Sequence, residues 1–207
     1  MQDSPDNQYG VSRLVAFSDG VFAFAITLLV TSIPTLDLPA QASNQAVLSS
    51  LRALFPSFFS YALSFYMVGV YWLVHHRTFR YIIKFDESLL WVNLTVLLFI
   101  AFLPFPTSLL GRYGDSSIVV AFYAVTLSAI SLVYSFLWWY ASERHRFIAQ
   151  DLDRQIITRL RLRGYITLAL FLISIGFAFI SPTLAKATWL AIFVVRPLVI
   201  RRFMRES

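Results

Sequence analysis

Cysteine is missing from all 207 residues, which excludes disulfides, thiolate metal sites and cysteine nucleophiles while leaving the compartment open. Charge is scarce as well: 14% of residues are Asp, Glu, Lys or Arg against 58% hydrophobic, and the mean hydropathy is +0.68. A water-soluble domain of this length is not built from that balance. HExxH, GxSxG, Walker and dinucleotide-binding glycine patterns are all absent, so no enzyme is indicated and no cofactor is expected. The repeated segments of alternating polarity that a transmembrane β-barrel needs are absent too. No internal repeat and no low-complexity segment divides the chain, which reads as one domain over residues 1–207.

Long apolar runs are what the sequence does have. A hydrocarbon core of about 30 Å is crossed by roughly 20 helical residues, and six runs approach that length. They extend from about Leu14 to Pro34, Leu54 to Val74, Leu89 to Leu110, Ile118 to Tyr140, Gly164 to Ile180 and Leu184 to Ile200, the last two short and joined by Ser181-Pro182. The expected fold is an all-α integral membrane protein of six transmembrane helices. The N-terminal MQDSPDNQYG is acidic and polar; it lacks the basic region of a secretory signal, so the first span is expected to remain in the mature protein.

Basic residues set the expected orientation, because Lys and Arg near span ends are retained in the cytoplasm. With the N-terminus inside, the inner set is Arg13; Arg77, Arg80 and Lys84; Arg144, Arg146, Arg154, Arg159, Arg161 and Arg163; and Arg196, Arg201, Arg202 and Arg205. Only Arg52, Arg112 and Lys186 of the 17 basic residues fall outside, so both termini are expected in the cytoplasm. Trp72, Trp91, Trp138 and Trp139 fall at proposed inner span ends, where amphipathic rings prefer the headgroup level. The net charge of +6 then reflects topology, and no nucleic-acid partner is expected. The polar stretch from Ala141 to Arg163 has two readings: a solvated positive-inside loop, or an amphipathic helix that continues into the fifth span and meets anionic lipid headgroups.

Asp19 is the sole acidic residue within a proposed span, and an ionisable group there is costly enough to suggest a function. It can hold helices together through a partner on another helix, or it can contact ions directly. Arg13 precedes it by six residues, too far for an i, i+4 pair. The adjacent His75 and His76 point about 100° apart on a helix and do not converge on one metal ion as an i, i+4 pair would. They read as structural histidines or as a proton relay.

The pattern Arg13-x-x-x-Phe17-Ser18-Asp19 followed by GVFAFAITLLV resembles the signature of the transmembrane protein 175 family, potassium channels of prokaryotes and of animal endosomes and lysosomes. Tyr71-Trp72-x-x-His75-His76-Arg77-x-Phe79, Trp91-x-Asn93 and Leu103-Pro104-Phe105-Pro106-Thr107 are similar to that family's second and third helices. The resemblance covers roughly the first 110 residues with distinctive motifs and the remainder by topology. It implies a homotetramer of six-helix subunits around a pore lined by the first helix, without a re-entrant selectivity-filter loop, and no TVGYG-like segment is present.

Helix geometry places Phe17, Val21, Phe24, Leu28 and Thr31 on a stripe about 80° wide, with Ala16, Gly20, Ala23 and Thr27 on an adjoining small face suited to close packing. Periodicity alone permits that stripe to face lipid or other helices. The resemblance implies a hydrophobic pore constriction at Phe24, Leu28 and Thr31, although Phe24 is bulkier than the usual aliphatic residue and Thr31 adds a hydroxyl that permits transient K+ contact near the outer mouth. It also implies that Arg13, Phe17, Ser18, Asp19, His75, His76 and Asn93 form an inter-helix network that holds the pore helix. The expected function is a potassium-permeable cation channel in a prokaryotic plasma membrane, with K+ as the permeant ion and anionic lipids at the cytoplasmic face. A proton-conducting channel of the same fold and a non-conducting membrane scaffold are the alternatives.

Overall fold

Proline, side-chain caps and run length divide the chain into helices, and the computed structural model describes residues 5–190. Helix α1 spans Pro5–Leu28, opening on a proline whose missing N–H is harmless at a first turn. It tightens into a 3₁₀ turn over Leu29–Ser32, and Ile33 turns extended, as the residue before Pro34 tends to do. Helix α2 is Asn44–Ala53 and α3 is Phe55–Phe79. Helix α4, Glu87–Phe102, begins where the Asp86 carboxylate accepts from the Leu89 N–H at 2.8 Å. Helix α5 is Pro104–Tyr113, α6 is Ser117–Ser142, and α7 is Arg154–Ile180, capped by Asp153. An eighth helix, α8, starts at 182 and is described to 190.

Among the described residues five segments are long and apolar enough to cross a membrane: Tyr9–Ser32, Phe55–Phe79, Glu87–Tyr113, Ser117–His145 and Arg154–Ile180. The protein is an all-helical integral membrane protein, and no strand is present among the described residues beyond an isolated Ile82–Ile148 bridge. Of the sixth expected span, residues 184–190 are helical and the rest lies outside the described residues, as do Arg196, Arg201, Arg202 and Arg205. The third span is broken at Leu103. Pro104 cannot donate to the Ile100 carbonyl, so Leu103 N–H takes that acceptor at 3.2 Å and the helix resumes as α5. The arginines at 154, 159, 161 and 163 lie on the first turns of a continuous α7, the amphipathic extension rather than a loop. Trp138 departs from the interfacial expectation: it is buried, and its indole donates to the Ile157 carbonyl at 3.2 Å.

Helix α6 is the interior of the subunit, packed by α4 and α5 on one side and along its length by α7 on the other. Helix α1 packs on α3 and α4. At one end of the bundle the loops after α3 and α6 are stitched together, with Ile83 N–H donating to the Phe147 carbonyl at 2.9 Å and Tyr140 Oη donating to Asp86 at 2.7 Å. At the other end Lys186 donates to the Gly114 carbonyl at 3.1 Å. Arg77, Arg80, Lys84, Arg144 and Arg146 therefore share one end, with Arg112 and Lys186 at the other.

Helices α3 and α5 cross closely at Gly111. A Cβ on Gly111 would stand 2.7 Å from Ser60 Oγ and 3.0 Å from the Ser57 Cα, a backbone atom that yields only if the helix moves. Gly111→Val is expected to cost about 1–3 kcal/mol by overpacking, read as a lower unfolding temperature of the purified protein in detergent. An unchanged transition would mean that α3 and α5 separate freely.

Candidate pore face and inter-helix network

Helix α1 has two faces of different chemistry. Val11, Leu14, Ser18, Phe22, Ala25, Leu29 and Ser32 are buried against α3, α4 and α5, a repeat of three and four that follows from 3.6 residues per turn. Opposite them Arg13, Ala16, Phe17, Gly20, Ala23, Phe24, Thr27 and Thr31 are exposed. Phe17 and Phe24 are 55% and 63% exposed, and nothing lies within 4 Å of a Cβ placed on Gly20. The outward faces of the other helices carry large apolar groups suited to acyl chains, such as Leu94, Leu98 and Phe102 on α4 and Ile118, Leu132 and Phe136 on α6. The outward face of α1 is mostly small or hydroxylated, and small residues favour close helix approach over lipid contact.

At about 100° per residue, Gly20 and Thr27 lie near the middle of the exposed arc. Thr27 Oγ1 donates to the Phe24 carbonyl at 2.8 Å, and Thr31 Oγ1 donates to the Leu28 carbonyl at 2.7 Å. Each hydroxyl proton is thus committed to backbone, and the oxygen lone pairs remain as acceptors. Leu28 is half-buried at the edge of the arc.

Behind this face a directional hydrogen-bond chain links three helices. Ser18, His75 and Asn93 are fully buried. Asn93 Nδ2 donates to Ser18 Oγ at 3.0 Å, and Ser18 Oγ donates to the Leu14 carbonyl at 2.9 Å. Asn93 Oδ1 is therefore left to accept, and His75 Nε2, 3.0 Å away, is the donor. The other ring nitrogen, Nδ1, is buried without a partner among the described residues. The rings of Phe79, Phe22 and Tyr134 surround the imidazole, with centroids at 4.2, 5.5 and 6.2 Å. That enclosure provides no acceptor for a second N–H and suits a neutral ring.

The remaining expected network residues are placed apart from this chain. Asp19 accepts from the Trp72 indole of α3 at 2.9 Å, so its partner is a neutral N–H rather than an arginine or histidine. His76 is exposed with its ring 5.8 Å from Trp72. Arg13 is exposed over the Tyr9 ring at 5.8 Å, and Phe17 lies on the outward face. Two features escape a reading of the sequence. Trp72 reads as an interfacial anchor, and Thr27 falls on the small packing face; the i, i+4 spacing of Thr27 and Thr31 was the available signal for their joint placement.

Residues 13–104 match the family model described as endosomal/lysosomal potassium channel TMEM175. A potassium channel of Chamaesiphon minutus is 33% identical over 212 residues, covering all of both chains. The chain belongs to the TMEM175 family. Another member, a potassium channel of Streptomyces collinus, is 33% identical over 179 residues, 84% of this chain and 85% of that one. The crystal structure of a lysosomal potassium-selective channel TMEM175 homolog from Chamaesiphon minutus superposes with a TM-score of 0.81 at 30% identity, covering 92% of this chain and 98% of that one. TMEM175 proteins are described as ion channels, and an enzyme reading has no place for this chain.

Proposed function

We propose that this protein is a potassium-permeable channel, assembled as a homotetramer in a prokaryotic plasma membrane, with both termini in the cytoplasm and the pore lined by α1. The single observation that carries this reading is the outward face of α1, small and hydroxylated on a helix whose neighbours present lipid-like faces. Similarity over the full length to a bacterial potassium channel supports the choice of ion. In a four-fold arrangement Phe24 and Leu28 supply the dry constriction, and rings of Thr27 and Thr31 oxygens offer lone pairs to a partly dehydrated cation. The Ser18, Asn93 and His75 chain fixes the rotation of α1, and Asp19 with Trp72 ties the same helix to α3. Anionic lipids meet the basic cytoplasmic end.

The test is flux from liposomes containing the purified protein, with a potassium gradient, sodium-matched controls and a proton-sensitive dye. Potassium flux exceeding sodium flux is expected. Flux of protons alone, or none from correctly assembled protein, would overturn the assignment in favour of a proton pathway or a scaffold. Thr27→Ala combined with Thr31→Ala is expected to retain flux while lowering the preference for potassium about fivefold, the equivalent of about 1 kcal/mol. Leu28→Ala should widen the constriction and raise flux; unchanged conductance and selectivity would remove Leu28 from it.

A further inference from the structure

Helix α7 packs along α6 but leaves a cleft between itself and α3. Its lining is apolar at one end, where Val70 and Val74 of α3 are half-buried and Met67 and Phe171 are fully buried, and the space itself is narrow, about 60 Å³. Its mouth is cationic: Arg77 and Arg163 line both the cleft and an adjoining hollow of about 300 Å³, which Arg80 and Arg159 also line. A water molecule takes up about 30 Å³ of the liquid, so the hollow has room for a headgroup rather than a lone small ion. Among the described residues no Asp or Glu lines either space, and Arg77, Arg80 and Arg163 have no ion pair. Arg161, by contrast, is neutralised by Glu143 at 3.1 Å. The unpaired guanidinium groups also sit at the correct depth, since Arg77 is in the last turn of α3 and Arg163 immediately precedes the apolar run from Gly164 to Ile180.

We infer that the basic mouth of this cleft binds one anionic phospholipid of the inner leaflet, its phosphate held by Arg77 and Arg163 with Arg80 and Arg159 at the rim, and an acyl chain passing over the half-buried Val70 and Val74. Guanidinium groups pair with phosphate oxygens bidentately, and basic pockets between transmembrane helices are a recurrent form of headgroup site. Charge argues against occupation by the chain's own C-terminal residues, because 191–207 carry Arg196, Arg201, Arg202 and Arg205 against one carboxylate side chain, Glu206. A free phosphate would use the mouth but leave Val70 and Val74 uncovered. The site rests on the pore reading to the extent that α1 at the tetramer axis leaves the outward face of α7 to lipid.

Native mass spectrometry of the purified full-length protein, titrated with phosphatidylglycerol and separately with phosphatidylcholine, tests the inference. Phosphatidylglycerol is expected to bind more tightly, and Arg77→Gln with Arg163→Gln should weaken it at least about tenfold, the equivalent of about 1.4 kcal/mol, while phosphatidylcholine binding and the control Arg146→Gln stay unchanged. Val74→Trp, which fills the apolar wall, should also weaken phosphatidylglycerol, and it provides an independent readout if the double variant is poorly folded. Equal binding of the two lipids, or binding indifferent to both sets of substitutions, would overturn the site. Displacement of phosphatidylglycerol by inorganic phosphate at comparable concentration, with Val74→Trp silent, would overturn the lipid in favour of a free anion. Potassium flux measured on the same preparations separates the two proposals: conducting protein without lipid preference sinks only the lipid site, and lipid-binding protein without flux sinks only the channel.

Discussion

Gly20→Leu is expected to leave the subunit folded and to abolish its assembly. Within the subunit Gly20 is exposed and no atom lies inside 4 Å of an added Cβ, so a leucine is expected to leave the isolated fold little affected. A leucine facing acyl chains would also cost nothing, because lipid tails are as apolar as the side chain. The substitution therefore discriminates between a lipid-facing and a protein-facing α1. If neighbouring copies close over Gly20, each suffers overpacking of about 1–3 kcal/mol, and four-fold symmetry repeats that cost four times. Chemical cross-linking in membranes and size-exclusion profiles in detergent should show tetramer replaced by smaller species with an unaltered helical signal. A tetramer of normal yield would show that neighbouring copies do not close over Gly20.

The second large effect is expected from Asn93→Leu, which deprives two buried groups of their partner. His75 would lose the acceptor for its Nε2 proton while Nδ1 already lacks a partner among the described residues, and Ser18 would lose a donor. Leaving a buried polar group unpaired costs about 1–3 kcal/mol, so a destabilisation of about 2–4 kcal/mol is expected, measured as thermal unfolding in detergent. Adding His75→Phe to Asn93→Leu removes the orphaned imidazole and extends the Phe22 and Phe79 aromatic cluster, so the double variant should recover part of the loss. If the double variant is instead less stable by the sum of both single changes, His75 and Asn93 act independently and the chain from α3 to α1 is not a unit.

The spans were legible because the bilayer demands length and apolarity together, and the runs beginning at Leu14, Leu54, Leu89 and Ile118 all become helices close to where they were expected. What the sequence conceals is set by contacts between helices. Ser18, His75 and Asn93 stand out by motif, but nothing in one dimension says that Asn93 bridges the other two or that Asp19 turns to Trp72. An indole at a span end satisfies the interfacial rule equally well in either role, which is why Trp72 and the buried Trp138 read alike. Helix α2 escaped because ten residues with no buried side chain are too short and too polar to register as a span. The proline at 104 was visible but the interruption of the helix at Leu103 was not, since transmembrane helices tolerate prolines within a continuous run. Thr27 illustrates a finer limit, for a helical wheel assigns angles but not the centre of the face that neighbours leave open.

The two faces of α1 differ in what natural variation can do to them. Leu14, Phe22 and Leu29 are enclosed by the subunit, so replacing any of them is felt first as lost stability. Phe24 and Thr31 project away from that interior, and within one subunit a change of size or polarity there has little effect on folding. If α1 lines the pore as proposed, conduction can be retuned at these positions at little cost to the fold.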